Sequence, residues 1–111
     1  GYYTVTGSIY IQPGDSLKIN PGTTFALMGP YALSIMGYLE AVGTEDDSIV
    51  FKRNLGVSSW EGIIFRANCD DNSIMEYCYI NGSGCQGIEI FGAGPTLRKC
   101  SIMNNNANSG G

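Results

Sequence analysis

Two acidic turns contain the residues of this sequence that are best suited to bind a cation. One turn holds Glu45, Asp46 and Asp47, and the other holds Asp70 and Asp71. The stretches DDSIV and DNSIM align at a shift of 25 residues, which predicts that the two turns stack on one corner of the fold. Carboxylates in stacked turns, about 5 Å apart, repel one another unless solvent, splaying of the side chains or a hard cation relieves them. A calcium site is the sharper hypothesis, and two solvated acidic turns are the simpler one.

The same carboxylates are poor candidates for a catalytic pair. Histidine is absent from the sequence, which excludes a His-based triad and His acid–base catalysis within this chain. An inverting glycoside hydrolase holds its two carboxyl groups roughly 6.5–9.5 Å apart, and neighbours such as Asp70 and Asp71 need not converge in that way. Arg66, Arg98 and Lys99 do not cluster with the acidic turns and are predicted to be solvated surface charges. We predict no catalytic residue in this chain.

Three aromatic side chains are the candidates for contact with a sugar. Trp60, Tyr77 and Tyr79 each combine a flat apolar face with a polar edge, which suits the pyranose ring of a polysaccharide. The alternative is structural, because Trp60 precedes a predicted strand at a corner and tyrosine is common on the surface of a β-sheet. Both interpretations are consistent with the sequence.

The four cysteines favour buried thiols over a metal site. None of the spacings among Cys69, Cys78, Cys85 and Cys100 is C-x-x-C, and no histidine is present to complete a zinc site. A disulfide bridge is the other alternative. We favour thiols that pack as small apolar residues.

Composition narrows the classes of partner. The net charge is −4 with only six basic residues, which argues against a nucleic acid because its binding needs basic patches. No apolar run approaches the roughly 20 residues that span a bilayer, so we expect no insertion into a membrane. The length of 111 residues predicts one domain, residues 1–111.

Short strands, rather than helices, are predicted to position these side chains. Apolar residues recur at period two in short runs, among them SLKI, TFAL, YLEAV, GIIF and GIEIF. Gly, Pro, Asn or Asp closes each run, as in QPGD, NPGT and CDDNS, which is typical of turns. The fold class is therefore predicted to be all-β.

A repeat of 22 to 25 residues selects one all-β architecture. Leu17 aligns with Leu39 at a shift of 22, and EGIIF aligns with QGIEI at 25. IMEYCYING and TLRKCSIMN also repeat at 22, which brings Cys78 next to Cys100. A sandwich has no reason to keep such an offset, whereas a solenoid stacks one unit per repeat, so we predict a parallel β-helix of about four to five coils. One predicted inward stack consists of Ile9, Leu33, Ile63 and Ile88.

The order of these coils resembles a known family over nearly the whole chain. The stretches LKINPGTTF, LSIMGYLEAVGTEDDSIVF, WEGIIF, SIMEYCYING and LRKCSIMNNN look like the right-handed parallel β-helix proteins of the pectate-lyase-like superfamily. In particular they resemble secreted bacterial multidomain proteins with a pGt coil, an L-x-A-x-G-T coil and a W-x-G-I coil. The resemblance implies a right-handed, single-stranded β-helix. It implies no single activity, because the family mixes lyases, some of which use calcium, with hydrolases, adhesins and surface modules.

The resemblance also implies a setting and a role. We expect an extracellular or cell-surface location in a bacterium and a non-catalytic structural or binding module, with a polysaccharide as its ligand. The alternative is a fragment of a polysaccharide lyase or glycoside hydrolase whose active site lies on other coils. Family members begin another coil where this chain reads NNNANSGG, so we expect a longer parent protein or self-association through uncapped ends.

Overall fold

Thirteen short strands follow one another through the described part of the chain, and no helix interrupts them there. The computed structural model describes residues 1–54, 56–57, 59–82, 87–92 and 94–103. These residues form no helix that is long and apolar enough to cross a membrane.

Every third strand belongs to the same sheet, and the strands of each sheet pair in parallel. The first sheet contains β1 (Tyr2–Val5), β4 (Thr24–Leu27), β7 (Ile49–Arg53), β10 (Cys78–Asn81) and β13 (Ser101–Met103). The second sheet contains β2 (Ile9–Ile11), β5 (Ala32–Ile35), β8 (Gly62–Phe65) and β11 (Ile88–Ile90). The third sheet contains β3 (Ser16–Ile19), β6 (Tyr38–Val42), β9 (Ile74–Glu76) and β12 (Thr96–Arg98). Three consecutive strands make one coil. The predicted parallel β-solenoid is confirmed, and it has about four turns.

The alternating side chains of each strand explain why the chain coils in this way. In β6, Leu39 and Ala41 are fully buried, while Tyr38, Glu40 and Val42 are half-buried on the outer face. A strand with one apolar face must place that face against other apolar faces, and three sheets around one axis provide them. The backbone groups of a strand inside a sheet then pair with the coils before and after it, as those of β5 do with β2 and β8.

The predicted inward stacks are present. Leu17 pairs with Leu39, and the second sheet places Ile9, Leu33, Ile63 and Ile88 in one line. The first sheet holds an aromatic stack that alignment of the repeats did not show. Its rings are separated by 5.6 Å between Tyr3 and Phe25 and by 5.3 Å between Phe25 and Phe51, measured between centroids. On the next two strands of this sheet, Ile80 and Ile102 occupy the same position in the stack.

Three corners connect the sheets, and their lengths differ from coil to coil. We call the connection from the first to the second sheet the first corner, that from the second to the third sheet the second corner, and that from the third to the first sheet the third corner. The second corner has four residues in the first coil, two in the second and eight in the third, namely residues 12–15, 36–37 and 66–73. The third corner shrinks in contrast from residues 43–48 in the second coil to Tyr77 alone in the third.

Unequal corners overturn one predicted alignment. The alignment of DDSIV with DNSIM predicts that Ile49 lies beside Ile74. In the structure, Ile49 pairs with Cys78, and Ile74 pairs with Glu40. The third coil places its long loop before the third sheet, whereas the second coil places its long loop after that sheet. The two similar stretches therefore belong to different corners, and the predicted stacking of the two acidic turns is wrong.

Candidate functional site

A groove of about 450 Å³ lies at the second corner. It exists because the two-residue turn Met36–Gly37 is recessed between the longer turns of the coils on either side, residues 12–15 and 66–73. The short turn forms the floor, and the longer turns form two walls. The groove is lined by Pro13, Gly14, Asp15, Ser16, Met36, Gly37, Tyr38, Asn68 and Asp70.

Glycine is required at the floor of the groove. A Cβ atom on Gly37 would lie 2.4 Å from the carbonyl oxygens of both Gln12 and Asp15, and real Cβ atoms do not approach backbone so closely. The absence of a side chain lets the backbone groups of three coils meet there. Tyr38 N donates to Asp15 O at 3.0 Å, and Asp70 N donates to Gly37 O at 2.9 Å. The floor is therefore a hydrogen-bonded part of the scaffold.

Tyr38 is held in one orientation by its neighbours. Its hydroxyl donates to Glu40 Oε1 at 2.9 Å, and Lys18 Nζ lies 3.6 Å from Glu40 Oε2. The hydrogen bond to the Glu40 carboxylate raises the pKa of Tyr38, and the charge of Asp70 acts in the same direction. The phenol is thus a neutral ring at the edge of the groove, with oxygen lone pairs still able to accept a hydrogen bond.

Two carboxylates give the groove a negative potential. Asp15 comes from the first coil and Asp70 from the third, and none of the lining residues is basic. Asp70 Oδ1 accepts a hydrogen bond from Asn72 N at 2.8 Å, a local turn that fixes the direction of the carboxylate. The groove therefore combines the carboxylates of Asp15 and Asp70, of which the second is fixed by its turn, with Tyr38, Asn68 and Met36.

The five acidic residues named from the sequence are divided between two corners. Glu45, Asp46 and Asp47 belong to the third corner, where Gly22 N donates to Asp47 O at 3.0 Å. Asp70 and Asp71 belong to the second corner, and only the first of them lines the groove. Within the described residues, no group of three or more Asp, Glu, Cys or His side chains is arranged to hold a metal ion. The predicted calcium site has therefore lost its structural basis, which was the stacking of the two turns.

The three aromatic candidates occupy different environments. Trp60 is only 1% exposed, stacks on Phe51 with 6.3 Å between ring centroids, and donates from Nε1 to Asn81 O at 2.7 Å. This burial leaves no ring face for a sugar. Tyr77 is half-buried and forms the third corner of its coil with a φ of 53°. Tyr79 lies on the outer face of the first sheet and is 42% exposed.

The basic residues make specific contacts at the surface. Arg66 Nε donates to Ser34 Oγ at 3.0 Å, and its guanidinium lies 5.9 Å from the centre of the Phe91 ring. Arg98 Nε lies 3.9 Å from Glu76 Oε2, and Arg98 and Lys99 are both exposed. None of these three basic side chains lines the groove.

Two of the cysteines lie together in successive coils, as the repeat predicts. Cys78 is buried and Cys100 is half-buried, both are free thiols, and the pairing of Tyr79 with Ser101 places the two cysteines side by side in successive coils. Cys69 is also buried, whereas Cys85 lies outside the described residues. The predicted adjacency of Cys78 and Cys100 is confirmed by the pairing of the strands that follow them.

The groove was not among the features predicted from the sequence, although the sequence carries a signal for it. The second corners of the first three coils lie in IQPGDS, IMGY and FRANCDDNS. Each joins a strand of the second sheet to a strand of the third sheet, and the three corners differ in length. A short turn between two long ones predicts a recess once the strands are aligned. The wrong register around Ile74 hid this pattern.

Comparison with known proteins leaves the family of this chain unassigned. No family model matches it, and no solved structure matches it. The chain is similar to Protein bark beetle of Drosophila melanogaster, with 43% identity over 51 residues. That stretch is 46% of this chain and spans about 2% of the length of the insect protein.

Proposed function

We propose that this chain is a non-catalytic carbohydrate-binding module of an extracellular β-helix protein, and that the second-corner groove is its binding site. The observation that carries the proposal is the concave site formed by Asp15, Tyr38 and Asp70 from three successive coils. Its volume of about 450 Å³ falls within the range of roughly 300–1,000 Å³ that is typical of ligand pockets.

The lining groups suit the two faces of a sugar ring. Hydroxyl groups donate to carboxylates, so Asp15 and Asp70 provide acceptors for the polar edge of a sugar. The ring of Tyr38 and the side chain of Met36 provide apolar surface for the C–H face. Because Glu40 and Lys18 already hold Tyr38 in place, little side-chain entropy is lost when a ligand stacks on it.

The charge of the groove narrows the class of sugar. Two carboxylates without a basic side chain in the lining disfavour uronic acids and sulfated sugars, because like charges in a concave site repel. Neutral sugars and amino sugars avoid that cost, and an ammonium group gains a direct attraction. The proposed ligand is therefore a neutral or amino-sugar polysaccharide.

The outer face of the first sheet is a second place where sugars have room to stack. Tyr79 is 42% exposed and Tyr2 58% exposed on this face, and Lys52 Nζ lies 5.5 Å from the centre of the Tyr2 ring. Thr24 and Val50 separate the two tyrosines across the sheet, because Tyr2 pairs with Thr24, Thr24 with Val50, and Val50 with Tyr79. This face is open rather than concave, so we place the main site in the groove.

A role in assembly is favoured by the first coil. Within the described chain, β1, β2 and β3 each pair with a neighbour on one side only, and Tyr3 of the inner stack is 56% exposed. Such edges template further strands. A concentration series by light scattering tests this role: growth of the mass with concentration supports it, and a monomer at high concentration contradicts it.

Location and source belong to the same proposal. The resemblance of the coils to secreted β-helix proteins supports the extracellular location. The protein with the similar stretch comes from an insect, whereas the resemblance to secreted β-helix proteins implies a bacterial source. The proposed binding role does not depend on which source is right.

Binding to defined oligosaccharides tests the proposal directly. Calorimetry with a neutral glucan or mannan oligomer, a chitosan oligomer and an oligogalacturonate is expected to show binding of a neutral or amino sugar and none of the acidic oligomer. Asp15→Asn and Asp70→Asn each remove a charged acceptor, so each is expected to weaken binding about tenfold or more. Tyr38→Ala removes the ring and is expected to have a similar effect.

Matched variants separate the groove from general effects on charge or folding. Asp46→Asn removes the same charge at the third corner, so it is expected to bind nearly as well as the unchanged chain. Tyr38→Phe keeps the ring but loses the hydrogen bond to Glu40, so it is expected to lose less affinity than Tyr38→Ala. Equal losses in Asp46→Asn and Asp70→Asn would contradict the groove as the site. Release of unsaturated products or new reducing ends would instead show that the chain is part of a lyase or hydrolase.

A further inference from the structure

Cys78 and Cys100 are placed for reaction with each other. Tyr79 pairs with Ser101 in adjacent parallel strands, so the residues just before them lie one strand spacing apart, roughly 4.8 Å. That spacing falls within the range of Cα separations that a disulfide spans, about 4.4–6.8 Å. The register of the two strands already places the cysteines side by side, so no large backbone movement is needed to join them.

The two thiols differ in a way that suits sequential chemistry. Cys78 is 1% exposed, and its pKa is raised by the hydrogen bond that it shares with Cys100 and by burial. Cys100 is half-buried, and the hydrogen bond from Cys78 lowers its pKa although burial opposes this effect. The thiolate therefore forms on the more accessible sulfur, and the thiolate is the attacking species in disulfide exchange.

We propose that Cys78 and Cys100 are a dithiol that a low-molecular-weight disulfide, such as oxidised glutathione, converts into a disulfide linking β10 to β13. The Cys100 thiolate attacks one sulfur of glutathione disulfide and expels one glutathione thiolate. Cys78 then loses its proton to solvent, and its thiolate attacks the Cys100 sulfur and expels the second glutathione thiolate. The protein dithiol is oxidised, and one glutathione disulfide is reduced to two thiols.

The bond would fasten the last described strand to the body of the helix. Within the described residues, β13 pairs with β10 alone, whereas β10 has β7 on its other side. Solenoids are held by contacts between neighbouring coils, and strands with one neighbour open first. A covalent link between Cys78 and Cys100 opposes that opening, so the redox state of the pair sets how firmly β13 is held against the fourth coil.

Peptide mapping after oxidation identifies the bond. The full chain is incubated with oxidised glutathione, remaining thiols are alkylated, and the chain is digested with trypsin and a Glu-specific protease. The expected product is one disulfide that joins residues 77–89 to residues 100–111. The double variant Cys69→Ser/Cys85→Ser leaves only the proposed pair and is expected to give the same link. A persistent glutathione adduct on Cys100, or a link that omits Cys78 or Cys100, would overturn the proposal.

Thermal unfolding measures the consequence without depending on the double variant. The oxidised full chain is expected to unfold roughly 5–10 °C above the reduced chain, because the cross-link restricts the unfolded state. The difference is expected to disappear in Cys100→Ser, which changes a half-buried thiol and leaves Cys78 in place. Equal midpoints for the oxidised and reduced full chain would show that the link does not stabilise the pairing of β13 with the fourth coil. A difference that persists in Cys100→Ser would assign the effect to another cysteine.

Discussion

The inner stack of the first sheet and the groove at the second corner are built from the same coils but follow different rules. In the stack, Phe25 and Phe51 occupy equivalent positions, and their rings lie 5.3 Å apart. At the second corner, the first three coils contribute turns of four, two and eight residues. Most residues of one turn therefore have no counterpart in the turn of the next coil. Uniform strands make the scaffold, whereas unequal corners make the concave surface on which a ligand can be held.

This contrast shows where change is tolerated. A side chain in the stack touches the coils on both sides, so any change in volume is felt by both neighbours. A corner residue at the surface contacts solvent on one side, and loops there vary at little energetic cost. Gly37 is an exception among corner residues, because it lies against the backbone of the preceding coil.

The largest effect is expected in the inner stack. Phe51 is 2% exposed and lies between the rings of Phe25 and Trp60, so Phe51→Ala is expected to lower the free energy of unfolding by about 3–5 kcal/mol. Urea titration followed by circular dichroism measures the loss. Tyr79→Ala changes an outward ring of the same sheet and is expected to cost about 1 kcal/mol or less. Equal losses in the two variants would remove the distinction between the stack and the outer surface.

An intermediate effect is expected at the floor of the groove. Gly37→Ala places a methyl group against two backbone carbonyls, so the first and second coils must move apart there. The expected loss is about 1–3 kcal/mol in the free energy of unfolding, together with weaker sugar binding. Gly7→Ala is the matched control, because nothing lies within 4 Å of a Cβ atom at that first-corner position. An unchanged stability of Gly37→Ala would show that the corner backbone is as tolerant as an ordinary loop.

The smallest effect is expected at the third corner and has the opposite sign. Lys99 is exposed and has a φ of 56°, in the left-handed region that disfavours side chains. Lys99→Gly is therefore expected to raise the free energy of unfolding by about 1 kcal/mol. Lys99→Ala removes the same side chain without relieving the backbone, and is expected to change stability little. A gain of equal size in both variants would assign the effect to charge rather than to backbone strain.

Most of the scaffold is predictable from local patterns. Alternation in runs such as YLEAV marks the strands, and shifts of 22 to 25 residues mark the coils. The pairs Leu17 with Leu39 and Ile63 with Ile88 follow from those shifts and are present. These features are predictable because an inward apolar side chain repeated once per coil is a requirement of stacking.

The groove and the division of the acidic turns were not predictable in the same way. DDSIV and DNSIM resemble each other because both carry a polar turn into a strand, yet one leads into the first sheet and the other into the third. Turn chemistry depends on a few residues and recurs at every corner. Similarity between turns therefore says little about which corner they occupy.

The burial of Trp60 shows that the environment of a single side chain is also hard to predict from local sequence. Its type is compatible with a sugar platform and with a core residue, and the decision comes from Phe51 and the Asn81 carbonyl in neighbouring strands. Those partners lie 9 and 21 residues away in the chain. Contacts of this kind are specified by the stacking of coils rather than by local sequence.

The amino-acid sequence by itself determined the all-β class, the coil period and the inward residues, because alternation and turn chemistry act over a few neighbouring residues. Only the tertiary structure decided which turns share a corner, where the groove opens, and that Asp15, Tyr38 and Asp70 meet there. Each coil has three corners of independent length, and those lengths acquire a spatial meaning only after the strands have paired from coil to coil.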